Sequence, residues 1–196
     1  MATKTATKKT TGVVKRTTAK RASTKSKKPK KAYTDGKLEF KSQALLSYHL
    51  TLKEHKKNGL IQEFAVPTIG DKTKNKHGAM KVMVDGHLFD SAMESRYYIH
   101  LLEQKLAGEV LDFSLQPRFE LQPGFKKTIN GKVKTFRKIE YIADFIVVDK
   151  NNEESTIDVK GQLTDTFRLK QKMFEYVYPD RTLTLLKLVR GKWEII

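Results

Sequence analysis

The chain has 196 residues, with 39 Lys and Arg against 22 Asp and Glu, a formal net charge of +17 and no cysteine. The absence of cysteine excludes a disulfide framework and a cysteine-ligated zinc site, and no apolar run approaches the ~20 residues of a membrane-spanning helix. We therefore expect a soluble, cytoplasmic protein without a membrane partner. The excess of positive charge favours a polyanionic partner such as DNA.

Residues 1–35 are predicted to form a disordered Lys-rich tail. The first 31 residues contain twelve Lys or Arg and no acid, and their one apolar pair, Val13-Val14, buries too little surface to offset the entropy of ordering. Such tails are typical of nucleic-acid-binding proteins. A targeting peptide is the less favoured alternative, because the cations are mostly Lys and form no amphipathic stripe. In a eukaryotic source, Lys27–Lys31 would read as a nuclear address.

Residues 36–79 are predicted to be an N-terminal extension of one helix, one short strand and a polar loop. Apolar residues at helical spacing place the helix over 38–57, before a stop at Asn58-Gly59. The strand is expected within 60–66, and the loop follows it.

Residues 80–196 are predicted to form one α/β domain, in which residues 91–189 have the order αβββαβ. Ser91 and Glu94 have the spacing of a capping box that opens the first helix. Short links make neighbouring strands antiparallel, whereas the second helix can carry the chain to a parallel strand. The expected architecture is a mixed central sheet flanked by helices. The predicted later elements are strands over 110–121, 138–149 and 155–160, a helix over 165–177, and strands over 182–189 and 193–196.

Two carboxylates lie inside apolar strand segments, although Asp is a poor strand former and a buried, unpaired carboxylate is costly. If the link at 150–154 centres on residue 151 or 152, residues whose numbers sum to about 302 oppose each other, so Asp144 faces Asp158. Lys160, two residues further, points to the same face. The opposite, core-packed face is predicted to carry Ala143, Phe145, Val147, Ile157 and Val159.

Two opposed carboxylates resist ionisation unless a cation lies between them. Mg2+ prefers oxygen ligands and accepts one or two carboxylates together with substrate phosphates, and Mn2+ is expected to substitute for it. The nearby Lys160 ammonium can stabilise charge that builds on a phosphorus under attack. This set suits metal-assisted hydrolysis of a phosphodiester. No nucleotide cofactor is expected, because the sequence has no Gly-rich phosphate loop.

Asp144 followed by Asp158-Val159-Lys160 resembles the D…(D/E)xK signature of the PD-(D/E)XK nuclease superfamily, whose common core has the order αβββαβ. The resemblance is closer to a phage and prophage group of that superfamily, long catalogued as a domain of unknown function and similar to Holliday-junction-type endonucleases. Ala143 replaces the usual Pro, and the second acid is Asp instead of the commoner Glu. The segments that carry the resemblance are Asn75–Gly78, Asp85-Gly86, Phe89–Ser91 with Glu94, Leu115–Pro117, Tyr141–Phe145 and Asp158–Gly161.

The resemblance implies a restriction-endonuclease-like core and a metal-dependent endonuclease for branched or junction DNA in recombination, repair or genome processing. It implies that Asp144, Asp158 and Glu94 are metal ligands, that Lys160 orients or activates the attacking water, and that Gln116 completes the catalytic centre. It also implies a homodimer, for which the sequence identifies no interface.

Each of these assignments has a plain alternative. Glu94 could serve only the capping box, Gln116 could be a polar residue at a strand bend, and Lys160 could be a surface lysine. The two aspartates could pair with Arg137 or Lys138.

Basic residues near a predicted hairpin turn at Asn130-Gly131, and on the late helix, are expected to follow the substrate backbone without reading sequence. Alternatively, they are only solvated faces. Two rival functions remain open: a non-catalytic DNA-binding or packaging protein, and an endonuclease for RNA. The nucleic-acid-binding candidates are Lys126, Lys127, Lys132, Lys134, Arg137, Lys138, Arg168, Lys170 and Lys172.

Overall fold

The computed structural model describes residues 32–68, 71 and 80–196. Within them lie the helices α1 (Gln43–Lys57), α2 (Ala92–Leu106) and α3 (Asp165–Val177). The strands are β1 (Tyr33–Thr34), β2 (Glu39–Phe40), β3 (Phe64–Ala65), β4 (Val82–Val84), β5 (His87–Phe89), β6 (Val110–Leu115), β7 (Arg118–Gln122), β8 (Phe125–Ile129), β9 (Lys132–Phe136), β10 (Ile139–Ile142), β11 (Phe145–Asp149), β12 (Glu154–Val159), β13 (Leu183–Val189) and β14 (Lys192–Ile195).

A mixed five-stranded sheet with the strand order β14-β13-β12-β11-β6 forms the centre of the fold. β12 is antiparallel to β11 and parallel to β13, to which the chain returns through α3. The prediction of a mixed α/β fold with a parallel pair across the late helix is therefore confirmed. Because β12 has a neighbour on each side, the residues at its end are held in the middle of the sheet.

Side-chain caps fix where α2 and α3 begin. The Ser91 hydroxyl accepts a hydrogen bond from the Glu94 amide at 3.2 Å, and the Thr164 hydroxyl accepts one from the Phe167 amide at 3.2 Å. Gly108, with a φ of +75°, follows the end of α2. Glycine adopts this left-handed conformation at the lowest cost. At the other end of α2, the bond from the Glu94 amide to the Ser91 hydroxyl confirms the predicted capping box.

Two strands predicted as continuous are each broken in two. The strand expected over 110–121 divides at Gln116-Pro117 into β6 and β7, and the strand expected over 138–149 divides at Ala143-Asp144 into β10 and β11. Gln116 has a φ of +49°, which interrupts the extended backbone, and Pro117 has no N–H for a sheet. The outer halves leave the central sheet and pair with each other.

The outer halves form a two-stranded extension, which we call the ribbon and which runs from residue 118 to residue 142. β7 pairs with β10 in its inner part, and β8 pairs with β9 in its outer part, residues 125–136, which we call the arm. The predicted turn at Asn130-Gly131 is confirmed, and both residues have positive φ, as a tight hairpin turn requires.

Apolar residues pack into two clusters. One joins α1, α2, β11 and β12, and includes Tyr97, Phe145 and Ile157. The other joins α3, β13 and the inner ribbon, and includes Phe119, Phe174 and Ala143. The core-facing prediction is confirmed for Phe145, Val147, Ile157 and Val159. It is wrong for Ala143, which is buried in the second cluster because the chain bends there.

Elements near the N-terminal part differ from the sequence prediction. The first helix begins at Gln43 instead of 38, because Glu39–Phe40 pairs with Tyr33–Thr34 and Ser42 caps the helix. Tyr33–Thr34 is therefore a strand and not part of a tail.

Residues 1–31 and Asn75–Gly78 lie outside the described residues, so the tail remains a prediction. Over the described ranges, no helix has the length and apolar character needed to cross a membrane.

Candidate active site

The candidate site lies where the ribbon leaves the central sheet. The Gln116 amide donates a hydrogen bond to the Asp144 carbonyl at 2.9 Å, and the Ala143 amide donates one to the Pro117 carbonyl at 3.1 Å. These two bonds bridge the breaks in both strands and satisfy backbone groups that the bends would otherwise leave without partners. Gln116 and Asp144 are thereby held side by side.

Asp144 and Asp158 meet as the register predicts. Phe145 faces Ile157 across the β11–β12 pair, so Asp144 and Asp158 come next in line. The ladder ends there: the Asp144 amide donates to the Ile157 carbonyl at 3.1 Å, and Asp144 Oδ2 accepts a hydrogen bond from the Val159 amide at 2.7 Å. The predicted register is confirmed, and Asp144 bends across the end of β12.

Asp158 is fully buried and lies between a phenol and an ammonium. The Tyr141 hydroxyl donates to Asp158 Oδ2. Lys160 Nζ lies 2.5 Å from Asp158 Oδ1, so the two side chains form a close ion pair. The ammonium balances one negative charge, and a bound cation would favour ionisation of the neighbouring Asp144 as well.

The Lys160 side chain reaches from the buried carboxylate to solvent. It is 26% exposed, and its ammonium also lies 5.0 Å from the centre of the Phe167 ring. The predicted placement of Lys160 on the face of Asp158 is confirmed. The side chain is therefore not the solvated surface lysine of the plain alternative, because it is anchored by a charge and an aromatic ring.

The acids of the site act on one another electrostatically. Burial raises the pKa of Asp144, the charges of Asp158 and Glu94 raise it further, and Lys160 opposes the rise. Burial also raises the pKa of Glu94, against hydrogen bonds from Ser91 and the Asp90 amide. Three carboxyl groups thus share one field, in which each added negative charge is unfavourable without a cation.

The Tyr141 phenol remains protonated at neutral pH. Burial raises the pKa of Tyr141, and the charge of Asp158 adds to the rise. A protonated phenol can only donate to the carboxylate that faces it, so it fixes the orientation of Asp158. The acidic motif and the strand register do not predict this role of Tyr141. A signal was present, because a tyrosine within an apolar strand needs a hydrogen-bond partner for its hydroxyl.

Glu94 is occupied by the helix cap. Its Oε1 accepts a hydrogen bond from the Ser91 hydroxyl at 2.8 Å, and its Oε2 accepts one from the Asp90 amide at 3.2 Å. Both oxygens thus serve the capping box, which was the plain alternative for this residue. The charge of Glu94 nevertheless reaches Asp144. Its role as a metal ligand stays a prediction.

Gln116 enters the site through its backbone. Its left-handed φ and its bond to the Asp144 carbonyl place it at the centre of the strand break. Residues held in such strained conformations are concentrated at functional sites. The side chain is exposed, and its catalytic role stays a prediction.

The donor set suits a hard cation. Asp144 and Asp158 supply carboxylate oxygens, and Mg2+ binds through one or two carboxylates together with substrate phosphates. Within the described ranges, no three Asp, Glu or His side chains are grouped so as to hold a metal ion. Asp144 and Asp158 are the two carboxylates that would hold such an ion.

The alternative that the aspartates pair with Arg137 or Lys138 has no support in the contacts. Lys138 Nζ instead lies 2.7 Å from Glu140 Oε1, on the ribbon. Arg137 is exposed beside it. The contacts that the aspartates do make are with Tyr141, Lys160 and the Val159 amide.

The predicted nucleic-acid-binding residues divide into exposed and engaged ones. Lys170 is half-buried and donates a hydrogen bond to the Glu140 carbonyl at 2.7 Å, so it ties α3 to the ribbon. Lys138 is engaged by Glu140, as described above. The exposed candidates are Lys126, Lys127, Lys132, Lys134 and Arg137 on the ribbon, and Arg168 and Lys172 on α3.

Comparison with known proteins gives one match. The family model described as "Protein of unknown function (DUF1064)" matches residues 74–191, more than half of the chain and the whole of the site described above. No curated protein and no solved structure matches the chain.

Proposed function

The chain belongs to the DUF1064 family, whose function is unknown, and we propose that it is a Mg2+-dependent endonuclease that hydrolyses phosphodiester bonds in DNA. The observation that carries the proposal is the meeting of Asp144 and Asp158 at the strand break, with the Lys160 ammonium 2.5 Å from Asp158. Asp158 is fully buried and Asp144 lies beside it, and the Lys160 ammonium balances only one of these two carboxylate charges, so a second cation would favour ionisation of both.

In this proposal, each residue of the site has a distinct role. A Mg2+ ion held by Asp144 and Asp158 would polarise the phosphodiester and make water a stronger nucleophile. Lys160, reaching to the solvent side, orients the attacking water and stabilises negative charge on the phosphorus. Tyr141 keeps Asp158 in place by donating to its inner oxygen. Glu94 adds negative charge near Asp144 and lies at the edge of the site.

The element order supports the superfamily assignment that the motif suggested. α2, β6, β11, β12, α3 and β13 follow one another as αβββαβ, with the ribbon inserted between β6 and β11. We therefore propose a PD-(D/E)XK-type nuclease core. With it we propose a structure-selective DNA endonuclease of phage type that acts in the cytoplasm as a homodimer.

A second candidate is a DNA-binding or packaging protein that has no catalytic activity. The observation in its favour is the exposed basic arm, because lysines that bind phosphates need neither a metal ion nor the aspartates. This candidate predicts DNA binding that is unchanged when Asp144 and Asp158 are replaced.

Cleavage assays on the full chain separate the two candidates. Labelled linear duplex, branched DNA and RNA of matched sequence would be incubated with Mg2+ or Mn2+, using the parent, Asp144→Asn and Asp158→Asn. We expect cleavage of DNA by the parent and a loss of about 10²-fold or more in both variants. Binding measured in EDTA should be retained.

The matched control is Asp112→Asn. Asp112 is a carboxylate of β6 whose side chain is 73% exposed and pairs with Lys105 at 2.7 Å. Its replacement should leave cleavage unchanged. If Asp158→Asn cleaves like the parent, the assignment of the site is wrong. If the parent binds DNA but cleaves no substrate with either ion, the non-catalytic candidate replaces the proposal. Cleavage restricted to RNA would change the substrate and keep the site.

A further inference from the structure

The arm is an exposed hairpin. Of its ten strand residues, nine are exposed and Ile129 is half-buried. Its strands pair with each other, from Phe125 opposite Phe136 to Ile129 opposite Lys132. Both faces of the arm are thus open to a ligand, whereas the inner ribbon is covered by α3.

The arm is a direct extension of the site. Gln122 faces Ile139 in the same register that pairs Phe125 with Phe136, so arm and inner ribbon are one continuous pair of strands. That pair of strands begins at the bond between Gln116 and Asp144 and the bond between Ala143 and Pro117. DNA bound along the arm would therefore lie in line with the strand break that holds the carboxylates.

The charge of the arm is unfavourable for its own stability. The arm contains four Lys and no acid. Lys127 and Lys134 are directly opposed across the strands, and like charges in that position weaken a hairpin. Binding of a polyanion would relieve this repulsion, which gives the arrangement a physical reason.

Two phenylalanines of the arm stack on each other. The ring centres of Phe125 and Phe136 are 4.6 Å apart, with 8° between the planes, and the residues are 43% and 37% exposed. Because side chains alternate along a strand, Lys127 and Lys134 lie on the same face, one pleat further out. This face therefore joins exposed aromatic rings to two adjacent cations.

A cross-strand aromatic pair also stabilises a hairpin, and that role alone would explain its presence. An aliphatic pair would supply apolar contact as well, but it has no flat π face. The face of the rings is what a nucleobase needs, and stacking on aromatic side chains accepts every base. A test must therefore replace the rings and keep their apolar character.

We propose that Phe125 and Phe136 form a stacking platform for unpaired bases, with Lys127 and Lys134 binding the adjoining phosphates. The arm then selects DNA in which a duplex adjoins unpaired nucleotides, because the bases of an intact duplex already stack on each other. This inference rests on the proposed function and adds to it the feature of the DNA that the protein recognises, which is unpaired bases beside a duplex.

The test measures binding to two DNAs in EDTA, where no cleavage occurs. One DNA is a blunt duplex, and the other is the same duplex with a short single-stranded extension containing a fluorescent base analogue. The full chain carrying both Phe125→Leu and Phe136→Leu should bind the extended DNA about tenfold less tightly, while its affinity for the blunt duplex stays within about twofold. In the same leucine variant, the base analogue should no longer be quenched. The full chain carrying Phe125→Trp and Phe136→Trp should regain the affinity for the extended DNA and the quenching.

Two controls frame the result. Tyr176→Leu removes an aromatic ring that is 87% exposed on α3, outside the arm, and should change neither affinity. Lys127→Ala with Lys134→Ala should weaken binding to both DNAs, because phosphates are present in each.

Two outcomes would overturn the inference. If the leucine variant loses affinity for both DNAs equally, the rings only hold the hairpin together. If it binds both DNAs like the parent, the rings do not meet the DNA. Neither outcome affects cleavage by the parent, which tests the proposed function separately. A parent that shows the platform effect but no cleavage would refute hydrolysis and leave the platform established.

Discussion

The site and the arm place charge in opposite ways. In the site, Asp158 is fully buried and its neighbour Asp144 is bent over the end of a central strand. On the arm, lysines stand exposed and two of them oppose each other. Each arrangement is unfavourable for the isolated protein, the first through desolvation and the second through repulsion.

The difference indicates two kinds of ligand. Buried carboxylates with few donors can hold a small cation, because the surrounding structure fixes their geometry. Exposed lysines on a hairpin can follow a long polyanion, because they adapt to its shape at little cost. The region that is proposed to bind the substrate is thus distinct from the region where the substrate is proposed to react, and four experiments test whether the two regions act separately.

The largest expected effect is that of Lys160→Met on cleavage. Removing the ammonium takes away charge stabilisation at the site, and we expect cleavage to fall about 10²- to 10³-fold. Binding in EDTA should stay unchanged, because binding is assigned to the arm. Lys187→Met, at an exposed position of β13, is the matched control. A loss of binding equal to the loss of cleavage would show that site and arm are not separate.

A smaller effect is expected for Tyr141→Phe, which removes the donor to Asp158. A buried acceptor left without its partner costs about 1–3 kcal/mol of unfolding free energy, and removal of a supporting hydrogen bond lowers activity or metal affinity about 10- to 100-fold. Denaturant unfolding would measure the loss of unfolding free energy, and a Mg2+ titration of cleavage would measure the loss of activity or metal affinity. Tyr178→Phe is the control, because that hydroxyl donates to the Glu120 carbonyl at 3.1 Å, away from the site. Equal effects of the two substitutions would contradict a role for Tyr141 in the site.

For the arm, Lys127→Ala with Lys134→Ala should flatten the salt dependence of DNA binding. When two phosphates are no longer neutralised by lysine, the slope of log K against log salt falls by about 1.8 for duplex DNA. Fluorescence anisotropy at several salt concentrations gives the slope. Lys150→Ala, which removes a lysine paired with Glu109 at 2.7 Å, should leave the slope as it is. An unchanged slope in this variant would show that Lys127 and Lys134 do not contact DNA phosphates.

The smallest expected effect is a gain in stability for Asp144→Asn in EDTA. The pKa of Asp144 is raised above the ~3.9 of an unfolded chain, so ionisation destabilises the fold as pH rises through that interval. Asparagine keeps an acceptor for the Val159 amide without the charge. We expect the variant to be more stable than the parent by roughly 1 kcal/mol at pH 8, or about 2–4 °C in Tm. The gain should vanish near pH 4, and a variant less stable at pH 8 would contradict the burial argument.

The sequence predicted the meeting of the two aspartates, but not the path of the strands around them. The register follows from a short link and a buried face, since a slip of one residue would turn Phe145 and Ile157 out of the core. The breaks at Gln116 and Asp144 carry no comparable local signal. Pro117 is equally compatible with a bulge, and the left-handed conformation of Gln116 arises from the bonds that hold the ribbon.

The same distinction holds for individual side chains of the site. The position of Lys160 follows from the alternation of side chains along one strand, and that alternation can be read from the sequence. The partner of the Tyr141 hydroxyl depends on how the ribbon folds back over β12, and the partners of Glu94 depend on which rotamer the cap selects. Long-range packing decides these contacts, so periodicity along the chain could not reveal them.

The ribbon enters and leaves the domain at a single point, between residues that are already hydrogen-bonded to each other. The inner ribbon is held by its packing against α3 and β13, whereas the arm beyond it is an extension whose length the central sheet does not constrain. The outer hairpin can therefore be shortened, lengthened or exchanged while the sheet and its carboxylates stay in place. Insertions and deletions should be tolerated at its tip, and a chimaera carrying a foreign hairpin is a practical route to altered substrate choice with the same chemistry.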